Sequence, residues 1–424
     1  GMWAASLRYH EGRFYICFVA NDTRKTYLYT SEKIDGPWKK QLIEGFYHDG
    51  SLLFDEDGRN YIVYGNDEIW ITELNEDLTA PKKDGLHRLL VSDHKNPELG
   101  YEGSHIQKIN GYYYIFLVHS LRDRWMRTEA CFYSDSLEGE FTGGDVLCDD
   151  RGYCGQGVAQ GGIVDTPDGK WYAMLFQDSG AVGRIPILVP VTWKDHFPVF
   201  GQNGHVPEEI EVHSTRPGYI YQPLVGSDDF CNGLLPRWQF NHDPDPRYYH
   251  LDALQGTYTI TTREVCTELT QAVNTLTQRM SYPSCAAEVT VDASALKEGD
   301  VAGLCALQSC YAAVGITKHH GKYEVLMLDK KEDGILDMTE GTVVESHQMD
   351  FRLEADFCNM KDEARCYYRV NKGDWLPIGT VHKLYFKLDH FTGCRFGLFC
   401  YAAEETGGSA CFRDFKYYDV DEIS

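Results

Sequence analysis

The chain repeats one short pattern four times, a glycine followed by a tyrosine three residues later. The pairs are Gly12/Tyr15, Gly58/Tyr61, Gly111/Tyr114 and Gly169/Tyr172. An apolar segment precedes each glycine and an alternating segment follows it, which is typical of a β-hairpin whose turn needs a positive φ. The glycines are 46, 53 and 58 residues apart. Four-stranded repeats of about 40 to 50 residues favour a β-propeller, and an ordinary β-meander is the alternative.

The repeats also align polar residues. Nine positions before the glycine, the last three repeats have Asp49, Glu102 and Gln160, and the first, whose turn is one residue shorter, has Ala4. Because the innermost strands of a propeller surround its axis, we predict that Asp49 and Glu102 share one axial pocket with Gln160 nearby. Two carboxylates in one pocket separate each other's pKa values, which suits cleavage of a glycosidic bond. The alternative is that each carboxylate only caps a strand end.

The pattern changes after residue 226. Short alternating segments without the glycine anchor follow, among them residues 257–262, 286–291, 302–308 and 366–370. Glycine-marked turns separate most of them, which predicts an antiparallel β-sandwich. We therefore predict an all-β chain with a propeller domain over residues 1–226 and a sandwich domain over residues 227–424.

Composition excludes some partners. The formal net charge of -24 argues against a nucleic-acid partner, which would need a basic surface. No apolar run reaches about 18 residues, so no membrane span is expected. The 14 cysteines include no C-x-x-C pair and indicate buried thiols in a reducing compartment. We expect a cytoplasmic protein, unless a signal peptide is lost with an absent N-terminal segment. Homo-oligomerisation is left open.

Several segments resemble glycoside hydrolase family 43, the five-bladed propeller β-xylosidases and α-L-arabinofuranosidases. The stretches around Asp49 and Glu102 and residues 160–172 are similar to that family, and residues 3–9 resemble its W-A-P segment. Residues 183–186 resemble its G-R segment. Residues 238–245 resemble the start of the C-terminal sandwich of its two-domain xylosidases. The resemblance thus implies a concanavalin-like sandwich after the propeller.

The resemblance also implies roles for individual residues. Glu102 matches the general acid, and Asp49 matches the carboxylate that orients the acid and tunes its pKa. The sugar subsite would be lined by residues that match the family's pattern, namely Trp3, Arg184 and His105, the last in an E-G-P-H segment with Ser104 in place of proline. An aromatic side chain of the sandwich can reach the subsite in this family. Tyr311 is the candidate here, and a core tyrosine is the alternative.

Two departures from the family pattern affect the expected chemistry. The family's general base is an aspartate on a blade before the W-A-P segment, and no residue of this chain matches it. The resemblance therefore implies that about one blade is absent. Gln160 stands where many members have an axial histidine that helps to hold Ca²⁺ or another ion. Its amide oxygen could still serve as a ligand, so Gln160 is the metal candidate, although no cofactor is required.

These observations lead to an inverting, exo-acting glycoside hydrolase for xylan- or arabinan-derived oligosaccharides, with β-xylosidase as the first expectation. Its activity is in doubt because the general base is absent. One alternative is a non-catalytic carbohydrate-binding or structural propeller protein. A further alternative is that a partner chain or Asp178 supplies the base.

Overall fold

A computed structural model describes residues 1–387 and 390–419. The regular secondary structure of these residues is almost entirely β-strand. The structure divides into two compact units. One contains Gly1–Asp178 and Ile185–His213, and the other contains Ser179–Arg184 and the chain from Ser214 onward. In the described part of the chain, no helix has the length and apolar character needed to cross a membrane. The predicted all-β class is confirmed.

The first unit consists of four antiparallel sheets of four strands each, which we call blades 1 to 4. Blade 1 contains β1 (Met2–His10), β2 (Arg13–Ala20), β3 (Lys25–Ser31) and β4 (Lys39–Ile43). Blade 2 contains β5 (Ser51–Phe54), β6 (Asn60–Asn66), β7 (Glu68–Leu74) and β8 (His87–Ser92). Blade 3 contains β9 (Glu102–Ile109), β10 (Tyr112–Ser120), β11 (Arg127–Ser134) and β12 (Thr142–Leu147). Blade 4 contains β13 (Ala159–Asp165), β14 (Trp171–Asp178), β15 (Arg184–Lys194) and β16 (Phe197–Phe200).

In every blade the strands follow one another in chain order across the sheet. The first strands are neighbours in succession, with β1 against β5, β5 against β9 and β9 against β13. This is the radial arrangement of a propeller, which confirms the predicted fold of this unit.

Two of the repeated tyrosines pack between blades. Tyr61 is buried with side chains of blade 3 such as Ile106 and Ile115. Tyr114 is likewise buried against blade 4, with Ile163 among its neighbours. In blades 2 and 3 the second strand thus presents its tyrosine to the next blade, where the ring fills the core.

The hairpin turns after the innermost strands have two lengths. Two-residue turns follow β1 and β9, where the last pairs are His10↔Arg13 and Ile109↔Tyr112. Five-residue turns follow β5 and β13, where they are Phe54↔Asn60 and Asp165↔Trp171. A shorter turn is predicted for the first repeat but not for the third. The predicted alignment of Glu102 with Asp49 and Gln160 is therefore wrong by one residue, because Gly103 is the residue of blade 3 at that position.

A bulge at this position recurs in the innermost strands. The pairing register shifts between Trp3 and Ser6 in β1, between Glu102 and His105 in β9 and between Ala159 and Gly162 in β13. A positive φ marks the equivalent residue of all four blades, with 29° at Ala4, 49° at Asp49, 66° at Gly103 and 69° at Gln160. Since bulges re-aim side chains, Asp49 and Glu102 can face one pocket from consecutive positions of the repeat.

The second unit consists of two antiparallel sheets. Its strands are β17 (Gln239–Phe240), β18 (Tyr249–Asp252), β19 (Thr257–Thr261), β20 (Leu276–Arg279), β21 (Ser284–Asp292), β22 (Val301–Leu307), β23 (Tyr311–His319), β24 (Lys322–Lys330), β25 (Leu336–Met338), β26 (Thr342–Val344), β27 (Gln348–Asp356), β28 (Glu363–Val370), β29 (Leu376–Lys383), β30 (Arg395–Tyr401) and β31 (Ser409–Asp419). Short 3₁₀ turns occur at Gly180–Val182, Leu269–Gln271 and Cys358–Met360.

One sheet has the order β17-β20-β30-β22-β23-β24-β25, with β26 also on β24, and the other has the order β18-β19-β31-β21-β27-β28-β29. Strands β22 and β23 of the first sheet contact β27 and β28 of the second. This is a β-sandwich, as predicted. The predicted sandwich range, 227–424, includes residues 388–389 and 420–424, which lie outside the described residues.

Asp300 is a buried carboxylate just before β22, with none of its surface exposed. The Lys297 N–H donates to its Oδ2 at 2.8 Å, and its Oδ1 has no hydrogen-bond partner among the described residues. Burial raises the pKa of Asp300 to about 6, while the Lys297 amide and charge only partly oppose this shift. The ionised form of Asp300 therefore opposes folding.

We predict that Asp300→Asn raises the free energy of unfolding, and by more at pH 7 than at pH 4. A carboxyl whose pKa is higher in the folded state contributes its full stabilisation when the pH is below its ordinary pKa of 3.8. This contribution is lost as the pH rises through about 6, the pKa in the folded state. Urea unfolding at both pH values measures the difference, with the exposed Asp374→Asn as the control. A gain that does not depend on pH, or a loss at pH 7, would contradict this account.

Candidate active site

The two carboxylates Asp49 and Glu102 lie together at the bulge end of the innermost strands. Asp49 is only 5% exposed, and its Oδ2 accepts the Gly103 N–H at 3.0 Å. The Ser104 hydroxyl donates to the Asp49 carbonyl at 2.8 Å. Glu102 is partly exposed, and its Oε2 accepts a hydrogen bond from Asn66 Nδ2 at 2.8 Å. Asp49 is thus fixed by the backbone of the adjacent blade, while Glu102 remains accessible.

His48 joins the two carboxylates. Its Nε2 lies 3.7 Å from Asp49 Oδ1 and 3.7 Å from Glu102 Oε2. Burial by itself would lower the pKa of His48, but the hydrogen bond to Glu102 and the charges of both carboxylates outweigh burial and raise it. The Trp3 ring lies beside the imidazole, with 6.2 Å between the ring centroids. The site therefore combines two carboxylates, an imidazole whose pKa is raised, and an indole.

One nitrogen of His48 and one oxygen each of Asp49 and Glu102 lie within 4.8 Å of one another. Such a donor set can hold a divalent cation. A metal needs the neutral imidazole, whereas the two carboxylates favour the protonated form. Protonation of His48 and binding of a cation would therefore compete at this donor set.

His105 lies deeper along the axis, in β9. Its ring is close to Gly162 of β13, where an added Cβ would lie 3.3 Å from the imidazole Nδ1. Burial, and secondarily the Arg8 guanidinium, lower the pKa of His105 to about 3, so the ring is neutral. Arg8 itself donates to the carbonyls of Leu52 and Ile106. The sugar-binding role implied for His105 stays a prediction.

Gln160 does not have the surroundings of a metal ligand. Its side-chain Oε1 accepts a hydrogen bond from Arg127 Nη2 at 2.6 Å. Arg127 Nη1 also forms a salt bridge with Asp178 Oδ2 at 2.8 Å. A metal at this oxygen would lie next to a guanidinium, and the two positive charges would repel each other. The residues present therefore do not fit the ion that the family resemblance implies.

Arg184 and Tyr311 both belong to the second unit. Arg184 lies against Phe391, with 4.5 Å between its Cζ and the ring centroid. Tyr311 has no exposed surface and lies in the sandwich core, where the Leu269 N–H points to its hydroxyl. A sugar contact does not fit this burial, so the core alternative describes Tyr311. Phe391, which is partly exposed, is the aromatic residue that accompanies Arg184.

Four residues of the site were not predicted from the sequence, namely His48, Asn66, Gly103 and Arg127. His48 could have been found, because it directly precedes Asp49 and occupies the position that Glu102 has in blade 3. The N–H of Gly65, seven residues after the anchor glycine, donates to the His48 carbonyl at 3.0 Å. Arg127 carries no such signal, because it lies on the third strand of its blade.

We predict that Gly103→Ala destabilises the protein more than Gly111→Ala. Both glycines have positive φ, 66° and 86°, so alanine introduces strain of about 1–2 kcal/mol at either position. A Cβ at Gly103 would also lie 2.7 Å from Gln160 Cγ, whereas nothing lies within 4 Å of a Cβ at Gly111. Chemical denaturation measures both losses. Equal losses would show that Gln160 does not pack on Gly103.

We also predict that His48 titrates above 6.5 in the unmodified protein and closer to 6.5 in Glu102→Gln. Glu102 supplies both a hydrogen bond and a negative charge that stabilise the imidazolium, and the amide removes the charge. Histidine NMR titration measures the change, with Glu98→Gln on the exposed surface as the control. An unchanged His48 titration in Glu102→Gln would rule out this contact.

Comparison with known proteins identifies both units. The family described as glycosyl hydrolases family 43 matches residues 1–198, and the beta xylosidase C-terminal concanavalin A-like domain matches residues 227–418. A putative beta-xylosidase of Xylanibacter ruminicola is 28% identical over 75% of this chain and 60% of its own length. A xylosidase/arabinosidase of Butyrivibrio fibrisolvens is 23% identical over 100% of this chain and 86% of its own length.

The solved structure of a bifunctional GH43-CE protein of Bacteroides eggerthii is 41% identical, with a TM-score of 0.88. The similarity covers 100% of this chain and 55% of that one. The chain thus spans 60% of the first curated relative and 55% of this solved chain. Since the two family matches together cover most of the sequence, the chain belongs to glycosyl hydrolase family 43.

Proposed function

We propose that this protein is an inverting, exo-acting glycoside hydrolase for xylose- or arabinose-containing oligosaccharides, with β-xylosidase as its main activity. The observation that carries the proposal is the pairing of an accessible Glu102 with a buried, backbone-fixed Asp49. Family membership supports hydrolysis of a glycosidic bond. The named relatives, a beta-xylosidase and a xylosidase/arabinosidase, support the choice of sugars.

The two carboxylates differ in the way that acid catalysis requires. Glu102 is accessible, so that as the acid it can donate a proton to the leaving oxygen. Asp49 accepts the Gly103 N–H at 3.0 Å, which favours its ionised form. Asp49, fixed by the backbone beside Glu102, is therefore assigned the role of orienting the acid.

The side chains around this pair suit a sugar. Asn66 holds one oxygen of Glu102 and leaves the other for the leaving group. The Trp3 indole offers a flat apolar face of the kind that stacks on a pyranose ring. His48 lies between the carboxylates, and its imidazole N–H can donate to a hydroxyl.

Inversion also requires a base that activates water. Asp178, which the sequence analysis considered for this role, forms a salt bridge with Arg127 at 2.8 Å and is 3% exposed. One of its oxygens is held by a guanidinium and the side chain is buried, so it does not suit a base. Among residues 1–387 and 390–419, which the structure describes, we therefore assign no base. Removal of a general base costs about 10²- to 10⁴-fold in rate, and we expect slow turnover.

The unassigned base favours one alternative function, a carbohydrate-binding protein that does not hydrolyse its ligand. Both functions predict binding of xylose-containing oligosaccharides at Trp3, His48 and Glu102. Only the hydrolase releases xylose from xylobiose. Calorimetry with xylobiose, together with a long incubation that measures free xylose, separates the two functions.

We predict that Glu102→Gln lowers the rate on xylobiose by about 10² or more. The same change should have a much smaller effect on a xyloside with a nitrophenolate leaving group, because nitrophenolate departs without a proton. Steady-state rates on both substrates measure the difference, and Glu98→Gln serves as the matched control. An unchanged rate on xylobiose would show that Glu102 is not the acid. Equal losses on both substrates would assign it to binding.

A further inference from the structure

Arg127, the first residue of β11, has an unusually closed environment for a charged side chain. It is 3% exposed, and its Cζ lies 4.8 Å from the centroid of the Phe176 ring. One terminal nitrogen donates to Asp178 Oδ2 at 2.8 Å, and the other donates to Gln160 Oε1 at 2.6 Å. Two strands of blade 4 thus surround a guanidinium that comes from blade 3.

The cluster already contains a paired cation. Asp178 supplies one negative charge to match Arg127, whose Nη1 lies 2.8 Å from Asp178 Oδ2. The Gln160 N–H donates to Glu129 Oε2 at 2.7 Å, so Gln160 is held from its backbone as well as from its side chain. A divalent cation at Gln160 Oε1 would lie next to the Arg127 guanidinium, and the two positive charges would repel each other.

The cluster reaches the active site through Gln160. Because Oε1 of Gln160 faces Arg127, its amide nitrogen faces Gly103, 2.9 Å from the place where a Cβ would be. The backbone N–H of Gly103 in turn holds Asp49 Oδ2. Contacts therefore run without interruption from Arg127 to the carboxylate pair.

We propose that the Arg127 guanidinium is the built-in cation of the propeller axis, which replaces a bound metal ion and positions Gln160 against Gly103 beside the carboxylates. Arg127 is in this account a positioning residue, since it acts through Gln160. The effect on sugar binding rests on the function proposed above, whereas the replacement of the metal does not. The two parts therefore have separate tests.

The first test is a calcium titration of the unmodified protein. We expect no saturable heat of Ca²⁺ binding by calorimetry, and the same melting midpoint in CaCl₂ as in EDTA. A saturable Ca²⁺ site that raises the midpoint, and that is lost in Gln160→Ala, would overturn the proposal. This test needs neither turnover nor sugar binding.

The second test removes the guanidinium group by mutation and then supplies it as a free ion in solution. Arg127→Ala leaves a space lined by Asp178, Gln160 and Phe176, and we expect a lower melting midpoint and at least about tenfold weaker xylobiose binding. Low millimolar guanidinium chloride should restore both quantities, because the free ion fits that space. Arg59→Ala, which removes an exposed arginine paired with Asp57 at 2.7 Å, is the control and should show no rescue.

The readouts separate the two parts of the proposal. Loss of stability that guanidinium does not restore would overturn the assignment of Arg127 as the built-in cation. Rescue of the melting midpoint without rescue of xylobiose binding would overturn its positioning role. If the unmodified protein does not bind xylobiose at all, the proposed function fails, while the calcium titration still tests the cation. If Arg127→Ala does not fold, Arg127→Lys replaces it, because lysine keeps the positive charge but not the paired N–H donors of the guanidinium.

Discussion

A residue with a positive φ at the axial end of every blade is the constraint on which the rest of the first unit depends. Its φ runs from 29° at Ala4 to 69° at Gln160, and in blades 1, 3 and 4 it lies in a β-bulge. In blade 3 this residue is Gly103, whose N–H holds Asp49 and whose missing side chain leaves room for Gln160. A single backbone feature thus brings Glu102, Asp49 and Gln160 together.

The fold was largely predictable because its signal is local. A turn glycine and a tyrosine three residues later recur in each blade, and two of these tyrosines, Tyr61 and Tyr114, are buried between blades. The exact register was not predictable, because the count from the glycine depends on turn length. Turns of two and five residues alternate from blade to blade. Counting back from the glycine therefore aligned Glu102, and not Gly103, with Asp49 and Gln160.

The site was predictable only in part, for a related reason. The repeat predicted that Asp49 and Glu102 lie near each other, and the family resemblance implied their roles. Arg127 acts through contacts across blades, which a single strand does not reveal, whereas His48 follows from the repeat only once the register is known. Gln160 is the clearest example, since its amide looked like a metal ligand until the structure placed a guanidinium 2.6 Å from its oxygen.

The central claim is that Glu102 and Asp49 form the acid side of a glycosidase site. A crystal structure of the unmodified protein with xylobiose tests it most directly. We predict that the glycosidic oxygen lies within about 2.6–3.2 Å of a Glu102 carboxylate oxygen, with Asp49 still bound to the Gly103 N–H. A sugar bound elsewhere, or one whose glycosidic oxygen points away from Glu102, would contradict the account.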